Sequence, residues 1–105
     1  MVKKPSPTGP SYSLQAFQKA AADPVKFDIK MSARQGGAAI GYATKAAICA
    51  VLQRIRPAEF YKTMPGIQDP LIMHDVYHTT DSGRVIYIKF VYQAGAFRLL
   101  SFKEK

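Results

Sequence analysis

The chain changes its hydrophobic pattern about two thirds of the way along, from helical spacing to alternation. In the first part, apolar residues recur every three or four positions, which is typical of amphipathic helices. Ser11 or Ser13 can cap a first helix that ends near Ala22. Thr44 can cap the most strongly patterned helix, over residues 45–55, because its apolar side chains form one stripe.

Between and after these helices the pattern is weaker. Residues 26–31 alternate and favour a short strand. A helix can follow Ser32, although two glycines fall inside it and each costs about 1 kcal/mol of helix stability relative to alanine. A proline can begin a short helix over residues 57–64, in which Phe60 and Met64 face inward one turn apart.

The last third of the chain predicts three strands, over residues 71–77, 84–92 and 96–102, with short turns between them. Helices come first and an antiparallel meander follows, so the fold class is α+β, with N-terminal helices packed on a C-terminal antiparallel sheet. Residues 1–10 are rich in Pro, Ser and Gly and indicate a flexible arm. Residues 11–105 form the single predicted domain.

The turn of the last hairpin predicts which side chains share a face of the sheet. A three-residue loop, 93–95, pairs Tyr92 with Ala96 and, further along, Tyr87 with Ser101. A two-residue loop would put these side chains on different faces. The side chains expected on one face are Tyr87, Lys89, Ser101 and Lys103. The opposite face, which is expected to form the core, carries Ile86, Ile88, Phe90, Leu100 and Phe102.

The preceding hairpin has two possible registers. A two-residue loop, 82–83, puts His74 on the face of Tyr87. A three-residue loop, 81–83, puts His74 on the core face and sets Asp75 opposite Lys89. The sequence leaves both registers open, and it favours His78 as a turn residue.

The net charge of the chain indicates more about its partners than its overall composition does. Fifteen Lys and Arg against seven Asp and Glu give a formal net charge of +8. Such a field attracts polyanions, so nucleic acid is the expected partner. An acidic protein partner, or a basic surface that only keeps the protein soluble, accounts for the same charge.

Several other classes are disfavoured. Cys49 is the only cysteine, so no internal disulfide can form, and its apolar neighbours indicate a core residue in a protein of the reducing cytoplasm. No apolar stretch is long enough for a membrane helix, and the basic start of the chain lacks the apolar region of a signal peptide. His74 and His78 have no third ligand beside them, so we expect no metal and no other cofactor.

The polar residues of the predicted sheet fit RNA chemistry. Lysines neutralise phosphates, and a tyrosine can stack on an unpaired base or donate a hydrogen bond to a phosphoryl oxygen. Cleavage without a metal would use attack by the 2′-hydroxyl on the adjacent phosphate, and His74 is suited to the proton transfer. The same residues also fit a nucleic-acid-binding module without catalysis, a protein-interaction domain, or an ordinary solvated sheet face.

Four segments carry a resemblance to a known family. "EFYKTM", "HDVY", "VIYIKF" and "LLSFKEK", in this order and at these spacings, resemble the MqsR family of bacterial toxins, in the RelE-like superfamily. The resemblance is clearest from Glu59 to Lys105. It implies a toxin that cuts mRNA at short motifs, without a metal and independently of the ribosome, and that a cognate antitoxin encoded beside it neutralises.

The resemblance also implies the site residues. Those matching the family's catalytic positions are Lys62, His74, Tyr87 and Lys103. The positions of Tyr61, Arg84 and Lys89 in the predicted elements, and not the resemblance, make them weaker candidates for RNA contacts. The family pattern has glutamine where this chain has His74, and histidine can transfer a proton where glutamine can only orient and polarise. The final hairpin is one residue longer than in the pattern, so the turn has to absorb the extra residue if Tyr87 and Lys103 are to share a face.

Overall fold

The computed structural model describes residues 9–105 and contains three α-helices and a five-stranded sheet. In chain order the elements are α1 (Leu14–Ala21), β1 (Asp28–Ile29), α2 (Met31–Ala39), α3 (Lys45–Leu52), a 3₁₀ turn (Pro57–Glu59), β2 (Phe60–Pro65), β3 (Met73–Asp81), β4 (Arg84–Gln93) and β5 (Ala96–Glu104). The predicted α+β class is confirmed. Most of the predicted flexible arm, residues 1–8, lies outside the described residues.

The strand order is β1-β5-β4-β3-β2. All neighbours are antiparallel except β1, which pairs with β5 in parallel through Asp28 and Ile29. The sheet is therefore mixed, whereas the sequence predicted an antiparallel one. A two-residue parallel strand has no local signature, because its partner lies about 70 residues further along the chain.

The caps predicted for α1 and α3 are confirmed, whereas Ser32 lies inside α2 and does not cap it. The Ser13 hydroxyl accepts a hydrogen bond from the backbone N–H of Ala16, and the Thr44 hydroxyl accepts one from Ala47. Helix α3 ends at Leu52, three residues before the predicted end. Helix α2 begins one residue before Ser32 and includes both glycines.

The core lies between helices α1 and α3 and one face of the sheet, called the core face. Phe17 of α1 stacks on Phe90 of β4, with ring centroids 3.7 Å apart. Ile48 and Leu52 of α3 are fully buried in the same cluster, and Cys49 is buried beside them as predicted. Burial of this apolar surface is the main stabilising contribution to the fold.

The helix predicted over residues 57–64 is wrong. After the 3₁₀ turn this segment is an edge strand, in which Phe60 pairs with Tyr77 and Met64 pairs with His74. Phe60 packs on the Tyr77 ring at 5.5 Å and so still faces inward, but Met64 lies on the other face. Pairing with β3, which local spacing does not report, overrides the helical pattern.

The three-residue loop predicted for the last hairpin is also wrong. The turn has two residues, Ala94 and Gly95, both with positive φ (55° and 81°), and it is followed by a β-bulge at Leu100. The two-residue turn alone would pair Tyr87 with Phe102, and the bulge shifts the register by one further residue, so Tyr87 pairs with Lys103. The side chains predicted to share the face of Tyr87 therefore do share it. Leu99, and not Leu100, fills the core position.

The turn between β3 and β4 also has two residues, Ser82 and Gly83, with φ of 53° and 78°. Asp81 pairs with Arg84 across it. Of the two registers left open by the sequence, this one puts His74 on the face of Tyr87. The prediction of His78 as a turn residue is wrong, because β3 continues past it to Asp81.

Asp75 ties the start of the described chain to the sheet. Its fully buried carboxylate accepts hydrogen bonds from the backbone N–H groups of Ser11 (3.0 Å) and Tyr12 (2.9 Å). The Tyr12 hydroxyl donates to the Met73 carbonyl at 2.7 Å. A buried carboxylate needs such donors, and this one stands on the core face, away from His74.

Candidate nucleic-acid interface

The face of the sheet away from α1 and α3, called the polar face, carries the candidate site. Residues paired across neighbouring strands share a face. One row across four strands joins Lys62, Val76, Lys89 and Ser101. The next row along the strands joins His78, Tyr87 and Lys103. On the other side of the first row, His74 lies opposite Met64.

Lys89 stands at the centre of these rows and is surrounded by other lysines. Partial burial lowers its pKa from the ordinary value, and the charges of Lys103, Lys30 and Lys62 lower it further. Lysines this close repel one another, so an anion placed among them gains a favourable interaction with each. The centre of the polar face is suited to a phosphate group.

His74 lies on one side of Lys89, in a cleft of about 450 Å³ between the loop after β2 and the start of α2. The backbone of Gly66 approaches the ring so closely that a Cβ there would lie 2.9 Å from Nε2 of His74. Burial lowers the pKa of His74, and the charges of Lys89 and Lys30 act in the same direction. The ring is therefore mainly neutral at pH 7, which is the form that accepts a proton.

Tyr87 and Lys103 lie on the other side of Lys89. The Nζ atom of Lys103 stands 5.3 Å from the centre of the Tyr87 ring, a cation–π distance. Burial raises the pKa of Tyr87, so its hydroxyl keeps its proton at neutral pH and can donate a hydrogen bond. Lys103 is exposed, as the sequence predicted for the residue after the buried Phe102.

The sequence missed His78, which stands in the same row as Tyr87. Its ring stacks on Tyr61 with centroids 4.1 Å apart and lies 5.7 Å from the Tyr87 ring. Side chains two residues apart on a strand lie on the same face, so a strand that continued from His74 through Val76 would have placed His78 on the polar face as well. The sequence also missed Lys30, because the parallel pairing of β1 brings it here.

Arg84 does not join the site. Arg84 lies two residues before Ile86 on the same strand and therefore belongs to the core face. Its guanidinium binds the Glu104 carboxylate at 3.2 Å. Of the seven residues predicted from the sequence, the structure therefore brings six to the polar face. Those six are Tyr61, Lys62, His74, Tyr87, Lys89 and Lys103.

The carboxylates of the described residues form salt bridges with arginines and not with lysines. There are four of these salt bridges among residues 9–105. No cluster of three or more His, Cys, Asp or Glu side chains in this part of the chain could hold a metal ion. None of the helices described is long and apolar enough to span a membrane.

The chain is similar in sequence to a known family. A family model described as "Motility quorum-sensing regulator, toxin of MqsA" matches residues 9–104. No curated protein is significantly similar to the chain. The family match includes all five strands, and with them the whole polar face.

Proposed function

Since the chain belongs to the MqsR toxin family, we propose that it is an endoribonuclease that cleaves mRNA without a metal ion. Membership of the family makes it a toxin of a toxin–antitoxin system and implies an antitoxin as its protein partner. The proposal adds the activity: cleavage of cytoplasmic mRNA at short sequence motifs, independently of the ribosome, which stops translation and growth.

The observation that supports RNA as the substrate is the position of Lys89 among Lys30, Lys62 and Lys103. Neighbouring rows of one sheet face are about 7 Å apart, so the lysines of two rows can contact one bound strand of nucleic acid. A phosphate over Lys89 would have His74 on one side and Tyr87 on the other.

This placement suits attack by the 2′-hydroxyl. The 2′-oxygen forms a bond to phosphorus, and the bond from phosphorus to the 5′-oxygen breaks. His74, mainly neutral at pH 7, accepts the 2′-hydroxyl proton, and the departing 5′-oxygen takes a proton from water. Lys62 and Lys103 stabilise the charge that builds on the phosphorane, and Tyr87 orients a phosphoryl oxygen through its hydroxyl. The products are a 2′,3′-cyclic phosphate and a 5′-hydroxyl.

The direct test is to incubate the protein with a long RNA in EDTA and to identify the product ends. Cyclic phosphate and 5′-hydroxyl ends at a short recurring motif support the proposal. RNA that is bound but left whole would indicate a binding module without catalysis. Absence of any salt-sensitive RNA binding would indicate a domain that docks an acidic protein.

Replacing Lys103 or His74 by alanine tests the assignment of roles. We expect each variant to keep the wild-type thermal midpoint, because both side chains lie outside the core cluster, and to cleave about a hundredfold more slowly or worse. Lys19→Ala on α1 is the matched control and should cleave at the wild-type rate. Unchanged cleavage in both site variants would refute the site.

A further inference from the structure

Tyr61 is an exposed aromatic residue with an unusual position in its strand. The register of β2 shifts between Phe60, which pairs with Tyr77, and Lys62, which pairs with Val76. Tyr61 is the additional residue of this bulge, and bulges commonly redirect a side chain. Its side chain remains 56% exposed, whereas Phe60 packs into the sheet.

The Tyr61 ring is held in place by another ring. It stacks on His78 with centroids 4.1 Å apart and planes inclined by 23°. His78 in turn lies 5.7 Å from Tyr87, so three rings run from the edge of the sheet to the candidate site. Burial lowers the pKa of His78, with the charges of Lys105 and Lys62 acting in the same direction, so the ring stacks mainly in its neutral form.

The imidazole is costly in this position. Nε2 of His78 is shielded from solvent and has no hydrogen-bond partner among residues 9–105. An unpartnered polar atom of this kind lowers stability, and a phenyl ring would stack without that cost. A cation also borders the stack, since Nζ of Lys62 lies 5.4 Å from the centre of the Tyr61 ring.

We propose that Tyr61 and His78 form a binding site for one unpaired base of the RNA, next to the phosphate that Tyr87 and Lys103 contact. Tyr61 offers its ring to the base, and His78 is a positioning residue that fixes the ring. An aromatic platform bordered by lysines is the usual arrangement for single-stranded nucleic acid, because bases stack while phosphates meet the cations. The inference rests on the proposed ribonuclease function and adds to it a nucleotide subsite.

The experiment separates stacking from cleavage. An RNA oligonucleotide carries 2-aminopurine at successive positions around one cleavage site, with a 2′-deoxynucleotide at the attacking position so that it stays whole. Stacking on an aromatic ring quenches 2-aminopurine fluorescence. We expect wild-type protein to quench strongly at one position. Tyr61→Ala and His78→Ala should lose this quenching and bind about tenfold more weakly.

His78→Phe is the discriminating variant, because it keeps the stack and removes both ring nitrogens. We expect it to retain the quenching and the wild-type KM, whereas His78→Ala raises KM about tenfold and changes kcat little. Retained quenching together with abolished kcat in His78→Phe would overturn the assignment of a positioning role. Tyr92→Ala, an exposed tyrosine at the far end of β4, should behave as wild type.

The possible failures are distinguishable. If wild-type protein cleaves RNA and the Tyr61 and His78 variants match it in quenching, KM and preferred cleavage motif, the base site is refuted and the ribonuclease stands. If wild-type protein quenches the probe but cleaves no RNA, the base site stands and the ribonuclease is refuted. Tyr61→Leu, at an exposed edge position, provides a folded variant without a ring if His78→Ala fails to fold.

Discussion

Four arginines and the lysines of the polar face differ in what they contact. Arg54, Arg56, Arg84 and Arg98 each bind a carboxylate, and these pairs hold loops and strand ends together. The lysines of the polar face have no such partner among the described residues. Arginine's rigid fork suits a fixed carboxylate, and lysine's mobile point charge suits a passing phosphate. The choice of residue is thus consistent with the proposal that these lysines bind RNA, whereas the four arginines stabilise the fold.

The two histidines predict how stability depends on pH. Burial lowers both pKa values below the unfolded value of about 6.5. Between that value and the folded pKa, the unfolded chain binds more protons than the folded one, so the free energy of unfolding falls as pH falls. We expect urea midpoints to decrease from pH 7.5 to pH 5.5.

A double variant, His74→Gln with His78→Phe, tests this origin of the pH dependence. Neither new side chain titrates, so the decrease in the urea midpoint over the same pH range should become clearly smaller. The ordinary pKa values of the carboxylates lie below this range. A decrease as steep as in the wild-type protein would show that other groups cause it.

At the scale of elements, the contact between α2 and β5 positions Lys103. A Cβ on Gly36 would lie 2.3 Å from the carbonyl oxygen of Phe102 and 3.3 Å from Cβ of Lys103. Backbone cannot move aside as a side-chain tip can, so only glycine allows the helix to lie this close. This explains why a helix accepts a residue that weakens it.

Gly36→Ala should therefore destabilise the protein by about 1–3 kcal/mol, although alanine is the better helix former. The shifted strand should also slow RNA cleavage. Urea unfolding and a cleavage assay measure the two effects. The reverse change in the same helix, Ala38→Gly at an exposed position, should cost about 0.5–1 kcal/mol and leave cleavage unchanged. A Gly36→Ala protein more stable than wild type would contradict the close contact.

Elements with strong local signals were predictable, and those decided by distant pairing were not. Ser13 and Thr44 cap their helices as the sequence indicates. The apolar residues after Pro57 have helical spacing, but this segment pairs with the edge of β3 as a strand. Its bulge at Tyr61 hides the alternation that would have revealed this. For the site, Lys103 was placed correctly because the buried Phe102 fixed its neighbour's direction.

At the scale of the whole molecule, the two faces of the sheet have opposite character. One is covered by α1 and α3, and the other presents lysines to the solvent. Val76 is buried on the polar face but stands outside the core cluster, beneath the lysine stems of its row. The net charge of +8 is thus partly concentrated where the proposed RNA lies.

This concentration predicts the salt dependence of RNA binding. If Lys30, Lys62, Lys89 and Lys103 each neutralise one phosphate, the slope of log affinity against log salt should be near −3, at about 0.7 per phosphate for single strands. Lys89→Gln should reduce the slope by about 0.7, measured with an uncleavable oligonucleotide. Lys19→Gln on α1 should leave it unchanged. Equal slopes for both variants would place the RNA elsewhere.

The bulge at Leu100 has a consequence for how this hairpin can change in length. One residue added to the turn inverts the orientation of every side chain beyond it, and one residue removed at the bulge inverts it back. Insertions and deletions at these two places can therefore cancel. Selection can keep Tyr87 and Lys103 on the same face of the sheet without keeping the number of residues between them constant. Related chains in which the hairpin of β4 and β5 is longer or shorter can therefore have the same arrangement of site residues.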